Sequence, residues 1–367
     1  MAVRSAFADN FTERGEVGAA VCVIVDGEIV VDVVGGWTDE AATRPWQPDT
    51  LVNVYSVGKA VVATLLLQMV DQGLVDLDDP IASVWPEFAV GGKAGATVRH
   101  ALCHRAGVPA IAARVTNDDL WHWHRMADAL AATPAWFEPG TRNVYHTNTY
   151  GHLVGEMAHR VSGRLPGDLL RSLAGALDAD LWCGLPDEHH ERCADVIWSP
   201  SSPMTPPDPD ALDRLEGEAA MVARGYFNPP GYSSHGVVNT AEWRRAQVPS
   251  TNMHASARGV AAFYQGLATP DRVLSAPLLA EATRVQSSGP CPVLADDIAV
   301  GLGFVPTSAR RPLGPNPRAF GHFGTGGALG FADLDAGVAF GYVMNHVIPR
   351  WQSSRNRALI DAVYSSR

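Results

Sequence analysis

Residues Val57 to Gln72 form a run of helix formers that is apolar around most of its circumference, carrying Val61, Val62, Leu65, Leu66, Leu67, Met69 and Val70, and Gly73 closes it. An amphipathic helix can lie on a surface, but a helix that is apolar all round has to be enclosed on every side. The chain must therefore wrap other layers around this one helix. Its 367 residues suffice for that. At roughly 150 residues per domain they predict two structural regions.

The flanking segments say what those layers are. Ala19 to Val25, Asp26-Gly27 and Glu28 to Val34 read as strand, two-residue turn and strand, since Asp-Gly between β-branched runs is a strong hairpin signal. Residues 5 to 14 predict a short helix before it. Near the other terminus, Ile298 to Val305, Ala319 to Phe323, Leu329 to Asp333 and Val338 to Asn345 read as strands, followed by a helix from Trp351 to Tyr364. Between about Asp76 and Val248 the pattern is helical, with patches at Asp118 to Ala131 and Tyr150 to Val161 broken by Pro and Gly. Residues 199 to 231, rich in Pro, Ser and Gly, predict a long surface loop. A helix is expected at Ser256 to Leu267. The predicted fold class is α/β plus α: an antiparallel sheet flanked by helices, built from residues 1–88 and 290–367, with an all-helical region over 89–289.

Composition narrows the partners. Hydrophobic residues make up 46% and charged residues 18%, as in globular chains, and the net charge is -11. That balance argues against nucleic acid or an anionic membrane as partner. The longest apolar run, Ala60 to Leu67, is too short to span a bilayer, and the first residues lack the apolar core of a signal peptide. Five scattered cysteines without a C-x-x-C read as free thiols in a reducing compartment, so a cytoplasmic location is expected.

The first turn of the apolar helix carries the chemistry. Ser56-Val-Gly-Lys59 is the one S-x-x-K in the chain, and Lys59 is one of only two lysines, Lys93 being the other; all other basic residues are arginine. Three residues apart on a helix, Ser56 and Lys59 share a face. A serine hydroxyl becomes a useful nucleophile once a base takes its proton, and a lysine desolvated by burial can be that base. The helix N-terminus offers N–H groups to a developing oxyanion. The competing reading makes Ser56 a helix N-cap and Lys59 a surface charge. The residue two before Ser56 is Val54, so the G-x-S-x-G signature of α/β-hydrolases is missing.

Further pieces follow in order: Leu77-Asp-Asp-Pro80, Trp85-Pro-Glu-Phe88, Val98-Arg-His-Ala-Leu-Cys-His104-Arg-Ala-Gly107-Val-Pro109, Phe137-Glu-Pro-Gly140, Tyr145-His146, Tyr150-Gly-His-Leu-Val-Gly155, Gly184-Leu-Pro186, Asn252-Met-His-Ala-Ser-Ala-Arg258 and Gly321-His322-Phe323-Gly324-Thr-Gly-Gly327. Together with Asn53-Val-Tyr-Ser56-Val-Gly-Lys59 they resemble the serine β-lactamase and penicillin-binding-protein superfamily. More narrowly, the chain is similar to the family VIII carboxylesterases, themselves similar to class C β-lactamases. The resemblance implies the β-lactamase/transpeptidase-like fold, with the site in the cleft between the two regions. It also implies a proton-transfer tyrosine, matched here by Tyr145, whose pKa a neighbouring lysine can lower so that it serves as base and then acid. Whether Lys59 or Tyr145 takes the first proton stays open at this level. The family's Lys-Thr-Gly motif aligns with His322-Phe323-Gly324, making His322 a candidate catalytic residue that would be partly charged at neutral pH. The backbone N–H groups of Ser56 and Thr325 become the implied oxyanion hole, with Gly326 and Gly327 leaving the register of the second donor open.

Departures from the family pattern bear on substrate. Thr147 stands where a Tyr-x-Asn motif has asparagine, and Phe323 offers no hydrogen bond where the family has threonine. The site is thus poorly equipped for penicillins and better suited to a neutral, fairly apolar ester. Phe323, Gly324, Thr147 and Trp121 are the expected substrate-binding residues. The expected reaction is ester hydrolysis through an acyl-enzyme on a small-molecule ester or acyl substrate, with no cofactor and no metal. Acyl transfer from the same acyl-Ser56 is the alternative, followed by a D-amino-acid peptidase or amidase or a weak β-lactamase, and by a non-catalytic scaffold. Two histidine-rich segments are set aside as metal sites. His122 and His124 would point about 200° apart on a helix, and Glu188-His-His-Glu191 with Cys193 has no zinc spacing. The glycines at 324 to 327 lack the G-K-[ST] of a phosphate loop.

Overall fold

The structure, a computed structural model, describes residues 2–200, 205–232, 236–348 and 351–365. Helix α1 (Ala2–Glu13) leads into strands β1 (Gly18–Val25) and β2 (Glu28–Gly36). The turn between them uses positive φ at Asp26 and Gly27, as a two-residue Asp-Gly hairpin requires. The short β3 (Val52–Asn53) then delivers the chain to α2 (Val57–Asp71). The helical region follows with α3 (Val98–Leu102), α4 (Asn117–Leu120), α5 (Trp123–Ala132), α6 (Thr149–Ser162), α7 (Pro166–Leu177), β4 (Leu181–Trp182), β5 (Ile197–Trp198), α8 (Pro209–Asp213), α9 (Gly217–Phe227) and α10 (Ala241–Arg245). The chain returns through β6 (His254–Ala255), α11 (Ala257–Ala268), α12 (Ala276–Thr283), β7 (Ser287–Cys291), β8 (Asp296–Val300) and β9 (Val305–Pro306). It ends with β10 (Ala319–Phe323), β11 (Leu329–Asp333), β12 (Val338–Met344), β13 (His346–Val347) and α13 (Ser354–Ser365).

The main sheet is antiparallel with order β2-β1-β12-β11-β10-β9, so N-terminal and C-terminal strands pair directly, Val21 opposite Tyr342. A separate patch, β3-β6-β4, carries the strand that precedes Ser56. β5 and β13 make a two-stranded parallel pair, and β7 with β8 an antiparallel ribbon. Helix α2 is buried at nearly every position, packed against α6 and α7 and against β10. Each fully buried leucine of this helix contributes roughly 1.5–3 kcal/mol.

Several expectations need correction. The predicted strand Ile298 to Val305 divides: its first half pairs with β7, and Val305 joins the main sheet. The predicted helix Asp118 to Ala131 breaks into α4 and α5, with His122 as the extended N-cap of α5. The predicted loop 199–231 contains α8 and α9, because the Ala-Met-Val run after Glu218 buries Ala220 and Met221; residues 201–204 lie outside the described residues. Trp351 precedes α13 instead of opening it. Helix α11 lies on the sheet against β1, β11 and β12, so a helical region drawn over 89–289 would separate it from the layer it covers. No helix among the described residues is long and apolar enough to cross a membrane.

Candidate active site

Ser56 sits where the β3 patch turns into α2. The preceding residue, Tyr55, has φ 50, a left-handed conformation that costs energy for a non-glycine residue and is held here by full burial. Val54 N–H bonds to Met253 O at 2.8 Å, clamping the approach strand to the 249–253 segment. Ser56 occupies the N-cap position but with helical angles, and its side chain caps nothing. That removes the competing reading of Ser56 as a helix cap and leaves its hydroxyl free for Lys59.

Lys59 is fully buried, and its Nζ has three partners: Ser56 Oγ at 3.0 Å, Thr147 O at 2.6 Å and Ser250 O at 3.1 Å. Gly58 makes this cluster possible, since a Cβ there would fall 2.3 Å from Pro249 O and push the Ser250 carbonyl away. None of these three partners is a carboxylate. Burial therefore holds the Lys59 pKa well below that of an ordinary lysine. A neutral amine has two protons and one lone pair. With two carbonyls accepting from Nζ, a Lys59 in that form would turn its lone pair to the Ser56 hydroxyl.

Tyr145 lies beside this pair, with Lys59 Nζ 4.9 Å from its ring centroid. Its ring packs on His104 at 4.5 Å and meets Trp351 edge-on at 4.9 Å. The hydroxyl is buried on the Ser56 side without a well-formed hydrogen bond. Burial raises its pKa well above the usual tyrosine value, outweighing the lowering influence of Ser56. The expected lowering by a neighbouring lysine does not occur, because burial dominates this phenol. Burial thus favours the protonated phenol of Tyr145.

His322 is buried on β10, its Nδ1 2.8 Å from Phe323 O and its ring 6.4 Å from that of Tyr145. Burial, reinforced by Lys59, lowers its pKa to about 3. The expectation of a partly charged histidine is corrected: His322 is neutral, with Nδ1–H donated to the Phe323 carbonyl. Two more neutral histidines frame Tyr145. His104 Nδ1 accepts from His146 N–H at 3.0 Å, and His146 Nε2 accepts from Val108 N–H at 3.3 Å.

The expected oxyanion donors are the N–H groups of Ser56 and Thr325. Among the described residues neither Ser56 N–H nor Thr325 N–H is given to a backbone carbonyl, whereas Gly324 N–H is bound to Ala328 O at 2.7 Å and Gly327 N–H to Gly324 O at 3.1 Å. This excludes Gly324 and Gly327 as donors and leaves the N–H groups of Thr325 and Gly326. Gly324 serves packing, since a Cβ there would lie 2.3 Å from Val54 O. Asn356 Nδ2 bonds to Gly327 O and to Trp351 O, both at 2.9 Å, so α13 fixes this loop and the tryptophan together.

The remaining substrate-binding expectations fare differently. Thr147 contributes its carbonyl to Lys59, and its hydroxyl oxygen is shut off from solvent. Phe323 is fully buried and stacks on Trp351, with centroids 6.4 Å apart and planes 9° from parallel. Trp121 lines a surface recess with Trp123, Leu165 and Arg245, a recess to which neither Ser56 nor Tyr145 contributes. Sequence reasoning missed Trp351, which touches Tyr145, His322 and Phe323 from a stretch read as helix. It also missed Ser250, whose Oγ binds Gly151 N–H at 2.9 Å and Asn148 O at 2.5 Å while its carbonyl holds Lys59.

The fold and this Ser-Lys-Tyr arrangement define a serine hydrolase of the β-lactamase-like type. The chain belongs to the beta-lactamase family, whose model matches residues 3–364. It is 33% identical over 355 residues to the esterase/beta-lactamase LipL of Mycobacterium tuberculosis, covering 94% of this chain and 80% of that protein. Among solved structures it is similar to a family VIII carboxylesterase at 36% identity and TM-score 0.88, covering 100% of this chain and 96% of that one. A penicillin-binding protein homolog from Caulobacter crescentus matches at 38% identity and TM-score 0.89, covering 100% and 97%.

Proposed function

We propose that the protein is a carboxylesterase acting on a neutral, small-molecule ester through an acyl-enzyme on Ser56. The reading rests on one observation above all: a buried lysine without a carboxylate beside it, its amine protons taken by two carbonyls and its third direction occupied by the Ser56 hydroxyl. Similarity to LipL and to a family VIII carboxylesterase supports the choice of ester.

In this scheme the Lys59 lone pair removes the Ser56 proton as Oγ attacks the ester carbonyl carbon. The oxyanion accepts from the N–H groups of Ser56 and Thr325. The tetrahedral intermediate collapses, the alkoxide leaves with the Tyr145 proton, and the Lys59 ammonium returns a proton to Tyr145. Water then repeats the sequence on the acyl carbonyl and frees Ser56. Neutral His322, His104 and Trp351 act as positioning residues that hold the Tyr145 ring.

The test is hydrolysis of a short-chain p-nitrophenyl ester by the native protein and by Ser56→Ala. Cleavage lost in the variant supports the proposal; equal cleavage by both, or none by either, contradicts it.

A further inference from the structure

On the far half of α6, away from Thr147 and Lys59, a second cluster of chemically capable side chains goes unused by the reaction. Glu156 and His159 lie three residues apart on one face of α6, and His124 reaches the same point from α5. One ligand atom from each of the three lies within 4.8 Å of the other two. The two imidazole rings are 5.7 Å apart. We propose that His124, Glu156 and His159 form a site for a divalent transition-metal ion of the zinc, cobalt or nickel kind, clamping α5 to α6.

The donor set selects that class, because two imidazoles with one carboxylate suit borderline transition metals and not calcium or magnesium. Three protein ligands would leave a fourth tetrahedral position to water. The carboxylate is already oriented: Glu156 Oε2 accepts from the Trp123 indole at 2.6 Å and Oε1 from Arg160 Nε at 2.7 Å. Such outer contacts fix a ligand's direction and leave each oxygen a further lone pair. His159 Nδ1 is buried with no hydrogen-bond partner, a vacancy that a metal ion would fill. Arg160 divides its positive charge between Glu156 and Glu87, the latter at 3.2 Å, so it does not fully neutralise the Glu156 carboxylate. His124 is exposed and gives an ion a way in. The WHWH segment thus pairs its second histidine with His159 of the next helix, and not with His122, which caps α5 in an extended conformation.

The clamp sits seven or more residues along α6 from its start, about 10 Å or more of helix from the Lys59 contacts. It is expected to stabilise the protein without altering ester hydrolysis. The full chain, freed of metal by chelation, is titrated with Co2+ and separately with Zn2+ by calorimetry, and the Co2+ complex is followed by its visible absorption. One equivalent should bind, raise Tm and leave kcat/KM unchanged. His124→Ala and His159→Ala should each weaken binding roughly tenfold or more, and His122→Ala should not. His124 is exposed, so its variant folds whatever happens to His159→Ala. The proposal is overturned if neither metal binds below about 1 mM, if the affinity survives in the double variant, or if His122→Ala weakens binding as much as the other two.

Discussion

The chain's two lysines form a natural experiment. Lys59 and Lys93 are both buried, each with three hydrogen-bond partners and an aromatic ring beneath the ammonium position. Lys93 donates to Val90 O at 2.8 Å, to Ala131 O at 3.0 Å and to Thr133 O. Three carbonyls can only accept, so they call for three N–H donors and favour the ammonium. Lys59 has two carbonyls and a hydroxyl, and a hydroxyl can donate as well as accept. That one difference leaves room for Lys59, in the proposed mechanism, to act as an amine with its lone pair aimed at Ser56. Burial lowers the pKa of Lys93 to about 8 and holds that of Lys59 well below the ordinary lysine value. In the proposed mechanism, burial alone makes an anchor and burial beside a hydroxyl makes a base.

The comparison can be broken most sharply by exchanging its members. Lys59→Met should lower kcat/KM about 1,000-fold or more, and Lys59→Arg should be as inactive because a guanidinium stays protonated. Lys93→Met should leave kcat within about twofold of native but cost roughly 2–4 kcal/mol in urea denaturation, since it orphans three buried carbonyls. An inactive, well-folded Lys93→Met would erase the distinction. Between these lies Tyr145→Phe, expected to lower kcat about 100-fold with little loss of stability, because the hydroxyl it removes makes no well-formed bond. With Tyr145 held above its ordinary range, the rate profile of the native enzyme should show an acid limb and no alkaline limb below about pH 10.

A smaller effect concerns stability. Burial lowers the pKa of His152, His254 and His322 to about 3 and that of His146 to about 4. The unfolded chain binds protons at these positions below about pH 6.5 and the folded chain does not, so their stability contribution is full above that pH and drains away on acidification. Each costs about 2 kcal/mol between pH 7 and 5. Glu16, buried against Arg355 and raised to about 7, has the opposite sign over pH 4.5 to 7, but it is one group against five, because burial holds His104 well below the ordinary histidine value as well. Urea denaturation at the two pH values should therefore give a less stable protein at pH 5, with a slope that shrinks by about a quarter in His322→Asn.

The sequence carried the site unevenly, for physical reasons. Ser56 and Lys59 were legible because helical spacing alone puts them on one face, and the hairpin because Asp-Gly dictates its turn. Tyr145, His322 and Thr325 were placed through resemblance, not through any local rule. Trp351 and Ser250 left no trace, since the first acts through contacts with strands far away in sequence and the second mainly through a backbone carbonyl. The charge of His322 was misjudged because burial is a tertiary property. The loop expected over 199–231 hid α8 and α9, short helices among Pro and Gly whose stability comes from docking.

The most direct test of the account uses the scarcity of lysine. Protein grown on lysine labelled with 15N at the side chain should show two side-chain signals, assigned with Lys93→Met. The account predicts that, as pH rises, the Lys59 nitrogen loses its proton first, that Lys93 follows near about 8, and that kcat/KM on an ester rises with the first transition. A Lys59 signal that stays ammonium where the enzyme is fully active, or a rate that follows Lys93 instead, would contradict it.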